Sequence, residues 1–147
     1  MENGAWVDRT VSVNTAAGAI TAAVTSFSPF GVFQDLPAAT LSGPSLSFGN
    51  QVVGTATGAQ SVTVTNSGTA NLTIAKATIG GANASDFAIS TDTCSGATVI
   101  LGGTCSVSVT FAPAASGTRS ASLSFADNAA GNQQSVSLSG TGCARER

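Results

Sequence analysis

Three cysteines are the residues in this chain best able to do chemistry. Cys94 and Cys105 bracket the stretch CSGATVILGGTC, with a Gly-Gly turn before the second, and Cys143 stands apart near the C-terminus. Zinc takes four ligands, as a rule Cys and His, and the chain has no His at all. A redox pair usually sits as Cys-x-x-Cys, which this spacing is not. The pair therefore reads as a structural cystine, Cys94–Cys105. Closing a loop this short contributes about 3 kcal/mol on a chain-entropy estimate, and a cystine points to an oxidising compartment. Cys143 is left as a free thiol, an intermolecular link or an accident of where the piece ends, and the last is the plainest reading.

The other candidates give way to structural readings. Serines are abundant, yet there is no His to act as base, and Lys76 belongs to no Ser-x-x-Lys arrangement. The seven carboxylates, Glu2, Asp8, Asp35, Asp86, Asp92, Asp127 and Glu146, are scattered, and no two share a motif. Asp86, Asp92, Asp127 and Asn128 fall where loops at the ends of a sandwich bind calcium in some modules. None sits in a D-x-D-x-D-G run, so they read as turn residues bonded to their own backbone. The pairs Gly80–Gly81 and Gly102–Gly103 lack the lysine and strand-to-helix setting of a phosphate loop and read as turns. Asn71-Leu72-Thr73 and Asn83-Ala84-Ser85 match a glycosylation sequon, which arises by chance in a chain with 20 Ser and 19 Thr. The chain is expected to be no enzyme and to carry no cofactor and no metal.

The elements that would place the cysteines are strands. Cys105, Val107, Val109 and Phe111 alternate with Ser106, Ser108 and Thr110. Side chains on a strand alternate with period two, so this is a half-buried strand with a small-polar outer face. Similar alternation appears in SLSFG (45–49), QSVTVTN (60–66), ANLTIAKATI (70–79), DFAIS (86–90), RSASLSFAD (119–127) and SVSLSG (135–140). In the third of these the period slips at Ala75–Lys76, which reads as a bulge. Seven short strands with turn residues between them predict an all-β, immunoglobulin-like β-sandwich over residues 44–142. Residues 143–147 form a tail.

Upstream, AWVDRTVSV and AITAAVTSF are joined by a Gly-containing turn and followed by SPFGVF. A hairpin of this size buries too little to stand alone. Residues 1–34 therefore read as the C-terminal strands of a truncated preceding β domain, with Trp6, Phe27, Phe30 and Phe33 as its core, and residues 35–43 as a linker.

Composition narrows the function. Only 8% of residues are charged while 42% are hydrophobic, which argues against disorder. The net charge is -2 and only Lys76 and Arg119 lie away from the termini among five basic residues, so no nucleic-acid partner is expected. No apolar run reaches the roughly 20 residues of a membrane span. The N-terminus lacks the basic and apolar regions of a signal peptide, so the chain is read as a piece of a longer exported protein.

At this point the motifs carry a family likeness. FGNQVVGT, the paired cysteines around a Gly-rich turn, VTFAP and the closing LSGTG occur in that order across residues 44–142. The pattern resembles the bacterial choice-of-anchor D repeat, related to the ASH (ASPM, SPD-2, Hydin) immunoglobulin-like domains. The resemblance implies tandem modules on secreted or surface-attached bacterial proteins. CARER at the C-terminus is no sorting signal.

The expected function is a non-catalytic structural or adhesive module of a secreted or cell-surface bacterial protein. It would space or present neighbouring domains of the same longer chain, with another protein or a surface glycan as further partners. The alternative is an intracellular scaffold domain of the ASH type, as in ciliary, centrosomal or microtubule-associated proteins. A carbohydrate-binding sandwich ranks below both, since the chain has no Tyr and its one Trp lies outside the main domain.

Overall fold

The computed structural model describes residues 34–131 and 133–146. The proposed hairpin and third strand upstream lie outside the described residues. Nine strands follow in order: β1 (Ala39–Leu41), β2 (Ser45–Val52), β3 (Gln60–Asn66), β4 (Leu72–Gly80), β5 (Phe87–Asp92), β6 (Ala97–Val99), β7 (Thr104–Phe111), β8 (Gly117–Asp127) and β9 (Gln134–Cys143). One 3-10 turn, Ala84–Asp86, precedes β5. The strands form two sheets, β1-β3-β7-β5 and β2-β9-β8-β4-β6. The chain is an all-β sandwich of the immunoglobulin-like kind.

Alternation explains which faces meet. On β7, Cys105, Val107, Val109 and Phe111 are buried and the hydroxyl residues between them are half-exposed. Their partners Val62 and Val64 on β3 and Leu123, Phe125, Val136 and Leu138 on the other sheet are buried as well. Burying side chains of this size contributes roughly 1.5–3 kcal/mol each. The outward rows are small and uncharged: Ser47, Ser139 and Ser120 lie side by side, as do Ser45, Ser137 and Ser122. The slip at Ala75–Lys76 is a bulge, for the β4–β8 register shifts between Ile74 and Lys76.

Two of the strands correct the sequence reading. Residues 35–43 are no free linker, because β1 lies within them and pairs Ala39 to Asn66 and Leu41 to Val64. The cystine loop contains β6, which pairs Leu72 to Val99 and Ile74 to Ala97. Each has three residues, too few to show a period of two, and each is held by backbone pairing. β2 also runs on past Gly49, where the shift between Ser47 and Asn50 lets it continue to Val52.

The family motifs, far apart in sequence, converge on one aromatic cluster. Phe48 of FGNQVVGT lies 5.7 Å from Phe87 and 5.9 Å from Phe111 of VTFAP, and Phe87 stacks on Phe111 at 4.8 Å. Gly140 of LSGTG faces the Phe111 ring so closely that a Cβ there would overlap it. Only glycine lets β9 pass.

The pairings also fix the course of the chain. β1 runs antiparallel to β3, starting beside Asn66. Ser42 bonds to Thr63 and Ser47 to the Gln60 side chain, so the chain keeps its direction into β2. β9 runs parallel to β2 and ends level with Val52, Cys143 beside it. The chain thus enters at one end of the sandwich and leaves at the other, separated by the roughly 33 Å of a ten-residue strand.

Candidate functional site

At the leading end, Asn66 takes the inward position that continues Val62 and Val64, and it is fully buried. A buried amide needs partners, since an unpaired polar group costs about 1–3 kcal/mol. Its Oδ1 accepts from Gly68 N at 3.0 Å, and its Nδ2 donates to Ala70 O at 2.8 Å and Val99 O at 2.9 Å. Its backbone N–H donates to Gly103 O and its carbonyl accepts from Gly102 N, both at 3.0 Å. One residue, through its side chain and its backbone N–H and C=O, therefore organises both the 67–71 loop and the 100–103 turn.

That loop grips the incoming chain. Ser67 N donates to Ala38 O and Thr69 N to Leu36 O, each at 2.9 Å, with Ala70 N also on Leu36 O at 3.3 Å. In return Leu36 N donates to Thr69 Oγ1 at 3.0 Å. Gly68 lies against the backbone of Leu36, Pro37 and Ala38, where a Cβ has no room. Ile100 and Leu101 project from the neighbouring turn, 66% and 63% exposed.

Cys94 and Cys105 are bonded, with Cα atoms 5.1 Å apart. The bond joins central strand β7 to the turn after edge strand β5. Asp92 caps that turn: Oδ1 accepts from Cys94 N at 2.8 Å and Ser95 N at 2.9 Å, and Oδ2 from Ser95 Oγ at 2.5 Å. Burial by itself raises the Asp92 pKa. The hydrogen bonds from the Ser95 side chain and from the Ser95 and Cys94 backbone outweigh it, holding the carboxyl below the ordinary aspartate range. Ser95 Oγ also accepts from Ala77 N at 2.8 Å, and Gly96 N donates to Ile74 O at 2.8 Å, so the turn bridges the two sheets.

The remaining candidates are spread out in structural roles. Asp127 Oδ1 accepts from Ala129 N, and Asn128 Oδ1 accepts from Thr73 N. Asp86 is buried at the trailing end, 3.4 Å from Arg119 Nε, a placement the sequence did not signal. Arg119 also donates to Ala115 O and Ser116 O, both at 3.2 Å. Among the described residues no three His, Cys, Asp or Glu side chains gather as metal ligands. A shallow cleft of about 360 Å³ opens where the chain changes sheets, lined by Ala39, Thr40, Leu41, Gly43, Pro44, Gln134 and Ser135, none of them titratable. Cys143 is half-buried and unbonded.

The profile of the ASH family, "Abnormal spindle-like microcephaly-assoc'd, ASPM-SPD-2-Hydin", matches residues 36–135. The chain belongs to the ASH family. Its match begins at Leu36, the first residue the 67–70 loop grips, so the lead-in belongs to the ASH domain. No curated protein matches the chain by sequence. Among solved structures, the ASH / PapD-like domain of human CEP192 (PapD-like domain 7) superposes with a TM-score of 0.56 at 16% identity. That match covers 87% of this chain and all of that one. A protein of unknown function from Porphyromonas gingivalis W83 gives 0.58 at 13% identity, covering 77% of this chain and 51% of its own. The secreted serine protease VesC from Vibrio cholerae gives 0.55 at 17% identity, covering 74% and 23%. At these identities the likeness is one of fold. Among the described residues no helix is long and apolar enough to cross a membrane.

Proposed function

We propose that this ASH domain is a non-catalytic structural or adhesive module of a secreted or cell-surface bacterial protein, of the choice-of-anchor D type. It spaces or presents the neighbouring domains of one longer chain, residues 1–34 being the end of a preceding β domain. The observation that carries this is the course of the chain: it enters at one end, gripped from Leu36 to Ala38, and leaves at the opposite end after β9. A module so threaded adds its length between its neighbours and fixes the direction of the chain that leads into it. The disulfide supports an oxidising compartment, and the same fold occurs within a secreted Vibrio chain. The outer faces carry hydroxyls and almost no charge, which suits contact with another protein or a neutral glycan and not with nucleic acid.

The CEP192 likeness favours a second reading, an intracellular ASH scaffold. Counting free thiols in natively produced protein separates the two. Alkylation without reductant followed by peptide mapping labels Cys143 alone if the module is exported. Labelling of Cys94 and Cys105 as well makes the intracellular scaffold the better reading.

A further inference from the structure

The disulfide is buried, and the turn that covers it is not. Cys94 is fully buried and Cys105 is 7% exposed, so a reductant has no line of approach to either sulfur while the turn is closed. Around Cys94, residues 91–93, 95 and 96 are all exposed and bury no apolar side chain. Apart from the buried cystine itself, only polar contacts hold this stretch down. Thr93 N donates to Ser106 O at 2.9 Å, and Ser106 N donates to Thr93 Oγ1 at 2.9 Å. Gly96 N holds Ile74 O on the other side. Between them, three hydrogen bonds end on the single carboxylate of Asp92, and Ser95 passes the contact on to Ala77 of β4. Segments with few apolar contacts and exposed hydrogen bonds open locally, well below the free energy of global unfolding.

We propose that the Asp92–Ser95 clamp gates the Cys94–Cys105 bond, so that a small dithiol reductant reaches the sulfurs only when the Asp92–Gly96 turn opens. In the open state a thiolate of the reductant attacks one sulfur, the S–S bond breaks, and a mixed disulfide forms. The second thiol of the reductant then displaces the protein sulfur and closes a cyclic disulfide. Two electrons pass to the protein, and the two protons of the dithiol end on Cys94 and Cys105. The clamp takes in the backbone N–H of Cys94 and the adjacent Ser95 but no sulfur atom, so the turn is fastened twice. A cystine made in an oxidising compartment is thereby shielded from thiols met later.

The test is the rate at which dithiothreitol reduces the oxidised 147-residue chain at fixed pH, read by quenched alkylation and mass spectrometry. Asp92→Asn keeps the size of the side chain but replaces the charged acceptor, and reduction is expected to quicken by about tenfold, the order set by weakening charge-assisted hydrogen bonds. Ser95→Ala, which leaves the two backbone bonds of Asp92 in place, gives a smaller acceleration and carries the test if the Asn variant does not fold. Glu146→Gln, at an exposed carboxylate in the tail after β9, leaves the rate unchanged. Reduction of Asp92→Asn at the parent rate overturns the proposal. So does an acceleration equal to the rise in globally unfolded population measured by denaturant, because reduction would then run through unfolding of the whole domain.

Discussion

The two ends of the sandwich are held by different physics. At the trailing end three phenylalanines, Phe48, Phe87 and Phe111, pack on one another with Gly140 against Phe111, and Asp86 meets Arg119. At the leading end a single buried ring, Phe125 beside Gln134, stands in place of that cluster. The order there comes from Asn66, from the backbone bonds between 67–70 and 36–38, and from the cystine a few residues further in. Apolar packing tolerates small shifts in direction, whereas hydrogen bonds do not. At the end that receives the chain the directional bonds fall on the lead-in itself, which suits a module whose lead-in keeps one orientation.

Substitutions at the two ends should therefore fail differently. The largest loss is expected from Phe111→Ala, about 3–5 kcal/mol for removing a fully buried ring. A denaturant titration should show it as a fall in midpoint for the whole domain. Replacing both bridging cysteines, Cys94→Ser with Cys105→Ser, is expected to cost about 3 kcal/mol from the freed unfolded chain. Because the Asp92 clamp and the β4–β6 pairing remain, the double variant should still fold, with an unchanged far-ultraviolet circular dichroism spectrum.

Asn66→Ala strands Ala70 O, Val99 O and Gly68 N together, for an expected loss of about 2–3 kcal/mol. Its signature should be local. The amides of Ser67 and Thr69 should exchange faster than those of β8, whereas Phe111→Ala should speed both alike. Acid should produce the smallest effect, and only near the cystine. The folded Asp92 pKa lies below its unfolded value, so the stability it lends is complete above about pH 4 and lost as pH falls through the lowered folded pKa. Unfolding midpoints of the parent and of Asp92→Asn should accordingly converge as the pH is lowered from about 5 to about 2.

How much of this was legible in the sequence follows the same divide. Period-two alternation exposed the strands that build the core, from Val62 and Val64 to Val136 and Leu138, because burial on one face writes itself into every second residue. The bulge at Ala75–Lys76 showed as a broken period for the same reason. β1 and β6 left no such trace, since three residues paired through backbone atoms impose almost nothing on side-chain type. Asn66 stood in the sequence only as the last residue of the alternating run QSVTVTN. Its real role could have been suspected from parity, for it continues an inward-facing row and so had to be buried and fully bonded. The Asp86–Arg119 pair depends on the 3-10 turn before β5 meeting strand β8 across 33 positions of sequence, and nothing local marks it.

The most direct measurement of the account is amide hydrogen exchange on the intact chain at Ser67, Thr69 and Ala70, the donors to Ala38 and Leu36. If the lead-in is part of a rigid module, these amides should be protected to a degree approaching those of β3 and β7. Exchange at the rate of an unstructured peptide would mean that the chain before Ala39 swings freely, and the domain could not fix the direction of what precedes it.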